Sequence, residues 1–165
     1  MQLALATEQN LSRIMELIGQ AKAFLKNSGV DQWQNGYPDQ ACIERDIIGG
    51  KGYLCMQQGS IVGYLCIDFD GEPAYENLNG SWLSSEPYVV VHRMTFDQQF
   101  RGKGLATQAL VLTEELSRAR GIRSFKIDTD NDNKIMKHLM QKNGFTYCGT
   151  ICFDNSEKIA YEKLI

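Results

Sequence analysis

The chain has 165 residues, a net charge of −3, and 43% hydrophobic and 22% charged residues, a balance that predicts one ordered domain over 1–165 burying roughly 70% of its extended surface. The absence of repeats and low-complexity tracts excludes solenoids and disordered chains, and the acidic charge argues against a general nucleic-acid binder, which would carry a basic face. Apolar runs such as Tyr88 to Val91 and Ala109 to Leu112 fall far short of the ~20 residues of a membrane span. The N-terminus has no basic region ahead of an apolar stretch, so no secretory signal is expected and the protein is placed in the cytoplasm. Five cysteines without a C-x-x-C pair read as buried free thiols, and the two histidines lack partners at metal-ligand spacing, so no metal is expected.

Gln2 to Ala6 alternates like a short strand, and Thr7 stands as the N-cap of a helix. Leu11, Ile14, Met15, Ile18, Ala21, Phe24 and Leu25 recur at three and four residues, giving one buried stripe to about Lys26. A loop rich in aromatic and amide side chains, Asp31 to Pro38, leads to a second helix capped by Asp39 and stopped at Gly49-Gly50. Tyr53 to Gln57 and Ile61 to Phe69 read as a hairpin across Gln58-Gly59-Ser60. Residues 70–86 show no periodicity and predict a long loop beside a binding site. Pro87 to Phe96, with Val89, Val90 and Val91 in sequence, is the strongest strand and should be buried on both faces.

Leu105 to Arg120 is the clearest helix, with Leu105, Ala109, Leu112 and Leu116 on one face and Gly121 as its stop. Phe125 to Thr129 makes the next strand, Asn133 to Lys142 a further helix ended by Asn143-Gly144, and Phe145 to Phe153 with Lys158 to Lys163 a closing hairpin around residues 154–157. The order is β-α-α-β-β-β-α-β-α-β-β, an α/β (α+β) chain. Strand, helix, strand over residues 87–129 is a βαβ unit, so those two strands should be parallel with a right-handed crossover.

The chemistry is expected where that first strand turns into its helix, at Asp97-Gln-Gln-Phe-Arg-Gly-Lys-Gly-Leu-Ala-Thr107. Gly102 and Gly104 let the backbone turn tightly and approach a ligand, and N–H groups at the helix start point at that space with the helix dipole behind them. This makes a phosphate cradle, with Arg101 and Lys103 adding charge and Thr107 a hydroxyl. A dinucleotide fingerprint would need a third glycine where Thr107 stands, and a Walker site would need Ser or Thr after Gly-Lys where Gly104 stands.

The segment resembles the acetyl-coenzyme A motif of the GNAT superfamily of N-acetyltransferases, Gln/Arg-x-x-Gly-x-Gly/Ala. It satisfies that motif in two frames, Gln99 to Gly104 and Arg101 to Ala106. The resemblance continues with Met94-Thr-Phe96 before the turn and with Asn133, Met136, Leu139, Gly144 and Phe145 after it. It implies a GNAT fold, with a mixed central sheet of six to seven strands and a splayed parallel pair. It also implies acetyl transfer from acetyl-CoA to a primary amine, on a small molecule or a peptide, by direct attack, with a homodimer as a common assembly. An acyl-CoA sensor without turnover is the alternative.

By the same resemblance, the main chain of Met94 and Phe96 would bond the pantetheine arm, and Gln99, Arg101, Gly102, Lys103, Gly104, Leu105, Ala106 and Thr107 would hold the pyrophosphate. Asn133 would bond the pantetheine or cap its helix, or both. The family's frequent general acid is a tyrosine seven residues after Asn133, and here that position is Met140. A thioether donates no proton, so Tyr88, Tyr147 or Tyr161 supplies it or the thiolate leaves unassisted. For the base, His92 on the central strand has a side-chain pKa of ~6.5, with Glu86 and Asp128 as alternatives. The acceptor side is expected from Trp33 and Tyr37 in one loop, from Tyr75 and Trp82 in another and from Tyr88 beside it, where aromatics beside carboxylates suit a cationic amine.

Overall fold

The computed structural model describes residues 1–153 and 156–165. Its elements are β1 (Gln2–Leu5), α1 (Leu11–Asn27), α2 (Gln40–Ile48), β2 (Gly52–Gln57), β3 (Ser60–Asp68), β4 (Asn79–Gly80) and β5 (Tyr88–Phe96), and then α3 (Leu105–Ala119), β6 (Ser124–Asp130), α4 (Lys134–Lys142), β7 (Thr146–Phe153) and β8 (Ser156–Leu164). The strands hydrogen-bond in the order β1-β2-β3-β5-β6-β8-β7-β4. Tyr88, Val89 and Val90 pair in parallel with Ser124, Phe125 and Lys126, as the βαβ reading requires. The sheet has eight strands where six to seven were expected, because the two-residue β4 forms inside the stretch read as loop. Of the turn expected at 154–157, Asp154 and Asn155 lie outside the described residues.

The chain falls into two compact units, residues 1–67 with 92–112 and residues 68–91 with 113–165. In the first, Ile14, Leu17 and Ile18 of α1 and Ile43 of α2 pack with Leu54 of β2 and Tyr64 of β3 in one apolar cluster, so the helical stripe read from the sequence is its buried face. Thr7 and Asn10 form a capping box on a short 3-10 turn, Glu8–Asn10, that precedes α1. The Asp39 carboxylate caps α2 by accepting from the Cys42 N–H at 2.8 Å.

Gly63 on β3 is required by packing, since a Cβ there would run into the Phe96 ring and come within 2.8 Å of the Thr95 carbonyl oxygen. Gly63→Ala should therefore cost about 1–3 kcal/mol by overpacking, read as a lowered midpoint in urea at unchanged slope.

In the second unit Ser124, Lys126, Asp128 and Asp130 share one face of β6 by strand alternation. Phe125 lies on the other face, its ring 5.0 Å edge-on from Phe145. The polar file is partnered throughout. Ser124 Oγ donates to the buried Glu162 at 2.6 Å, the Lys126 ammonium sits 4.3 and 3.9 Å from the Trp82 and Tyr88 ring centres, Asp128 accepts from Tyr75 at 2.7 Å, and Asp130 pairs with Lys158.

Two of these partners, Tyr75 and Trp82, come from residues 70–86, which form a 3-10 turn at Pro73–Asn77 and then β4. Glu162 also accepts from the Leu83 N–H at 2.5 Å. The segment is held further by an approach of Gly80 to Gly149 so close that a Cβ on either would strike the opposing backbone. Strand β4 has no hydrophobic alternation because its ladder depends on two glycines rather than on side chains.

No helix among the described residues is long and apolar enough to cross a membrane. The cysteines are all free thiols, buried at Cys42, Cys55, Cys66 and Cys148 and exposed at Cys152.

Candidate active site

In the first unit, β5 ends in a turn built by Asp97. Its buried carboxylate accepts from the Gln99 N–H at 2.9 Å and from Arg13 of α1. The Gln99 amide bond, ahead of Arg13, holds its pKa below the usual carboxylate range. Gln98 N–H donates to Gln20 Oε1 of α1 at 3.0 Å, so the start of the turn is bolted to that helix.

Gly102 and Gly104 follow with φ of 76° and 75°, in the left-handed region that glycine reaches without strain. A Cβ at either would meet no atom within 4 Å, so the turn's backbone faces open space. The α3 ladder opens with Gln108 N–H donating to the Gly104 carbonyl at 3.1 Å. In helix geometry the Leu105 and Ala106 amides therefore point out of the N-terminus toward that space.

Lys103 and Arg101 are exposed beside the turn. The Arg101 guanidinium lies 3.6 Å over the Phe24 ring of α1. Met94 and Phe96 are half-buried on β5, flanking the buried Thr95, whose hydroxyl donates to the Leu17 carbonyl at 3.2 Å. Leu105 is buried, with Ala106 and Thr107 half-buried behind it.

Between His92 and Met94 stands an arrangement that the sequence did not reveal. Arg93 adopts φ 55° in mid-strand, a conformation that costs a non-glycine residue on the order of 1–3 kcal/mol and persists only where its surroundings impose it. They do so through a bidentate bond to Asp46 of α2, Nε to Oδ2 at 2.8 Å and Nη2 to Oδ1 at 2.6 Å. Arg93 Nη1 also donates to the Tyr37 hydroxyl at 2.5 Å, and the Tyr64 hydroxyl donates to Asp46 at 2.7 Å. Burial pushes the Tyr37 phenol up to about 12. Tyr37 thus anchors its loop to β5, Trp33 packs against the apolar cluster of α1 and α2, and His92 is half-buried.

In the second unit, Asn133 is buried and caps α4, its side chain accepting from the Met136 N–H at 3.1 Å. Met140, fully buried, is a core residue. Of the tyrosines considered as acids, Tyr147 is exposed, Tyr161 is buried and shifted upward by that burial, and Tyr88 is half-buried.

Asp128 is half-buried on β6. Desolvation raises its carboxyl to about 6, opposed by the hydrogen bond from Tyr75 and by the Lys158 charge. Tyr75 is stacked on Tyr88 at 6.0 Å and tilted against Trp82 at 5.1 Å, and Trp82 Nε1 donates to the Tyr75 carbonyl at 3.0 Å. Tyr88 in turn walls a cavity of about 300 Å³ with Phe69, Asp70 and Glu86.

Trp82, Tyr88 and Asp128 are thus linked by contacts that run through Tyr75, and Glu86 lines the same cavity as Tyr88. That link was missed because Tyr75 and Asp128 lie 53 positions apart. The only local signal was a tyrosine and a tryptophan inside an otherwise polar stretch.

A model of the Acetyltransferase (GNAT) family matches residues 16–145. The chain belongs to the GNAT acetyltransferase family. A GNAT acetyltransferase from Streptococcus agalactiae is 32% identical with a TM-score of 0.88, over 99% of this chain and 95% of that one. A GNAT acetyltransferase from Listeria monocytogenes shares the fold at 21% identity and a TM-score of 0.79, over 99% and 94% of the two chains. So does AAC(6')-Ib, solved with ribostamycin and coenzyme A, at 19% identity and a TM-score of 0.71, over 99% and 92%. No curated protein matches. The fold and enzyme class expected from the sequence are those found, and the GNAT chain carries its glycine motif within the matched span.

Proposed function

We propose that the protein transfers an acetyl group from acetyl-CoA to a primary amine, as one catalytic domain over residues 1–165. The observation that carries the reading is the open cradle at Gly102 and Gly104 ahead of α3. Two left-handed glycines with free space above them and a helix N-terminus behind them suit a diphosphate. Neighbours of the same fold were solved with coenzyme A, among them the AAC(6')-Ib complex with ribostamycin. The family match runs through both compact units, which supports a single domain. Among the described residues no group of three or more His, Cys, Asp or Glu side chains could hold a metal.

When bound, acetyl-CoA supplies an activated thioester. The turn from Gln99 to Thr107 would hold its diphosphate, with Lys103 and Arg101 as exposed flanking charges, the main chain of Met94 and Phe96 would receive its pantetheine arm, and Asn133 would add a polar contact beside its capping role.

Asp128 is favoured over His92 and Glu86 as the base. With a carboxyl raised to about 6 it is ionised at pH 7, yet it is basic enough to accept a proton released from the amine. The cavity formed by Phe69, Asp70, Glu86 and Tyr88 offers ring faces and carboxylates to a cationic acceptor. Five free thiols, four of them buried, suit the reducing cytoplasm.

Thiol release from acetyl-CoA across a panel of primary amines tests the reading. Turnover with cationic amines is expected. An acyl-CoA sensor would instead bind the cofactor and release no thiol with any acceptor.

A further inference from the structure

Four groups face the Asp128 carboxyl or act on it at short range: the Tyr75 hydroxyl and Glu72 from the segment ahead of β4, Lys158 from β8, and Asp130 from its own strand. Among the described residues the Tyr75 hydroxyl donates to it, at 2.7 Å to Oδ1, while Lys158 is committed to Asp130 and to Ser156. Tyr75 is itself immobilised. It is buried to 2% exposure, its ring is held against Trp82 and Tyr88, and its carbonyl accepts from Trp82 Nε1. A phenol held by these contacts and donating to Asp128 Oδ1 fixes that oxygen in place.

We infer that Tyr75 is a positioning residue, whose hydroxyl holds Asp128 in one orientation and keeps it ionised for acetyl transfer. The inference rests on the reading of Asp128 as the base. The sign follows from the hydrogen bond: a donor to the carboxylate favours the charged form, whereas burial and the nearby Glu72 and Asp130 oppose it. Tyr75 itself does not exchange its proton, since burial and Asp128 push its phenol well above the ordinary range.

Tyr75→Phe removes the hydroxyl and keeps the ring. In the free protein, carbon-13 NMR of the Asp128 carboxyl, assigned by its loss in Asp128→Asn, should show its titration midpoint moved to higher pH in Tyr75→Phe. The acid limb of kcat/KM should move with it, giving about a tenfold loss at pH 6 that shrinks at pH 8. An Asp128 midpoint identical in both proteins overturns the inference, even if activity falls. Full activity in Asp128→Asn overturns the base reading instead, while the NMR comparison still decides whether Tyr75 governs the carboxylate. Should Tyr75→Phe fail to fold, the Tyr75 Cζ resonance in the wild type must follow the Asp128 midpoint, and a flat response there counts against the inference.

Discussion

Gly104→Asp is expected to abolish coenzyme A binding, with affinity falling about 100-fold or more, measured by calorimetry or by loss of the ligand-induced melting shift. Two effects add. Gly104 sits at φ 75°, where an L-residue costs roughly 1–2 kcal/mol, and the new carboxylate enters the open space that the diphosphate would fill. Like charges at about 4 Å near a protein surface repel by several kcal/mol, so the charge outweighs the strain.

Gly121 supplies the control. It has φ 76° with nothing within 4 Å of a Cβ, but it lies past the C-terminal end of α3. Gly121→Asp should carry a similar backbone cost and leave coenzyme A affinity unchanged. Undiminished affinity in Gly104→Asp would remove the cradle from the mechanism, and equal losses in both variants would assign the effect to stability.

The cradle was legible in the sequence because everything it needs is local: glycines two apart, a strand before, a helix after. The long amphipathic helices were legible for the same reason, since α1 and α3 carry a helical period over several turns. The partners of the other candidate residues were not. Arg93 reads in the sequence as one of three basic residues, with Arg101 and Lys103, gathered around the glycine turn to suit a small anion, whereas its charge and its left-handed backbone are taken up by Asp46, 47 positions away on α2, which no local pattern encodes.

Residues 70–86 read as loop because their order is tertiary. Glu162 binds Leu83, Gly149 admits Gly80, and Asp128 binds Tyr75. Asp128 reads in the sequence only as an alternative to His92 for the base, and what distinguishes it is the aromatic block that this segment lays beside it. Glu86 stayed exposed at the rim of its cavity, as a residue just ahead of a buried strand would.

Asp128→Asn should separate function from stability. On the reading of Asp128 as base, kcat with a primary amine falls about 10²–10⁴-fold while coenzyme A affinity holds, because the substitution removes the proton acceptor and leaves the cradle alone.

Stability should move the other way. The folded carboxyl titrates near 6, against 3.8 in the unfolded chain. The native state therefore binds more protons between those values, and stability falls as pH rises through that window. Above it, the buried charge costs the fold about 3 kcal/mol. Asparagine keeps an oxygen for the Tyr75 hydroxyl and carries no charge, so the variant should melt higher than the wild type at pH 8, and the difference should vanish near pH 4. A variant that is both inactive and less stable at pH 8 would mark Asp128 as structural, and the base would then be sought at His92 or Glu86. A gain in stability with loss of turnover is what a carboxylate held against its own solvation for the sake of proton transfer predicts.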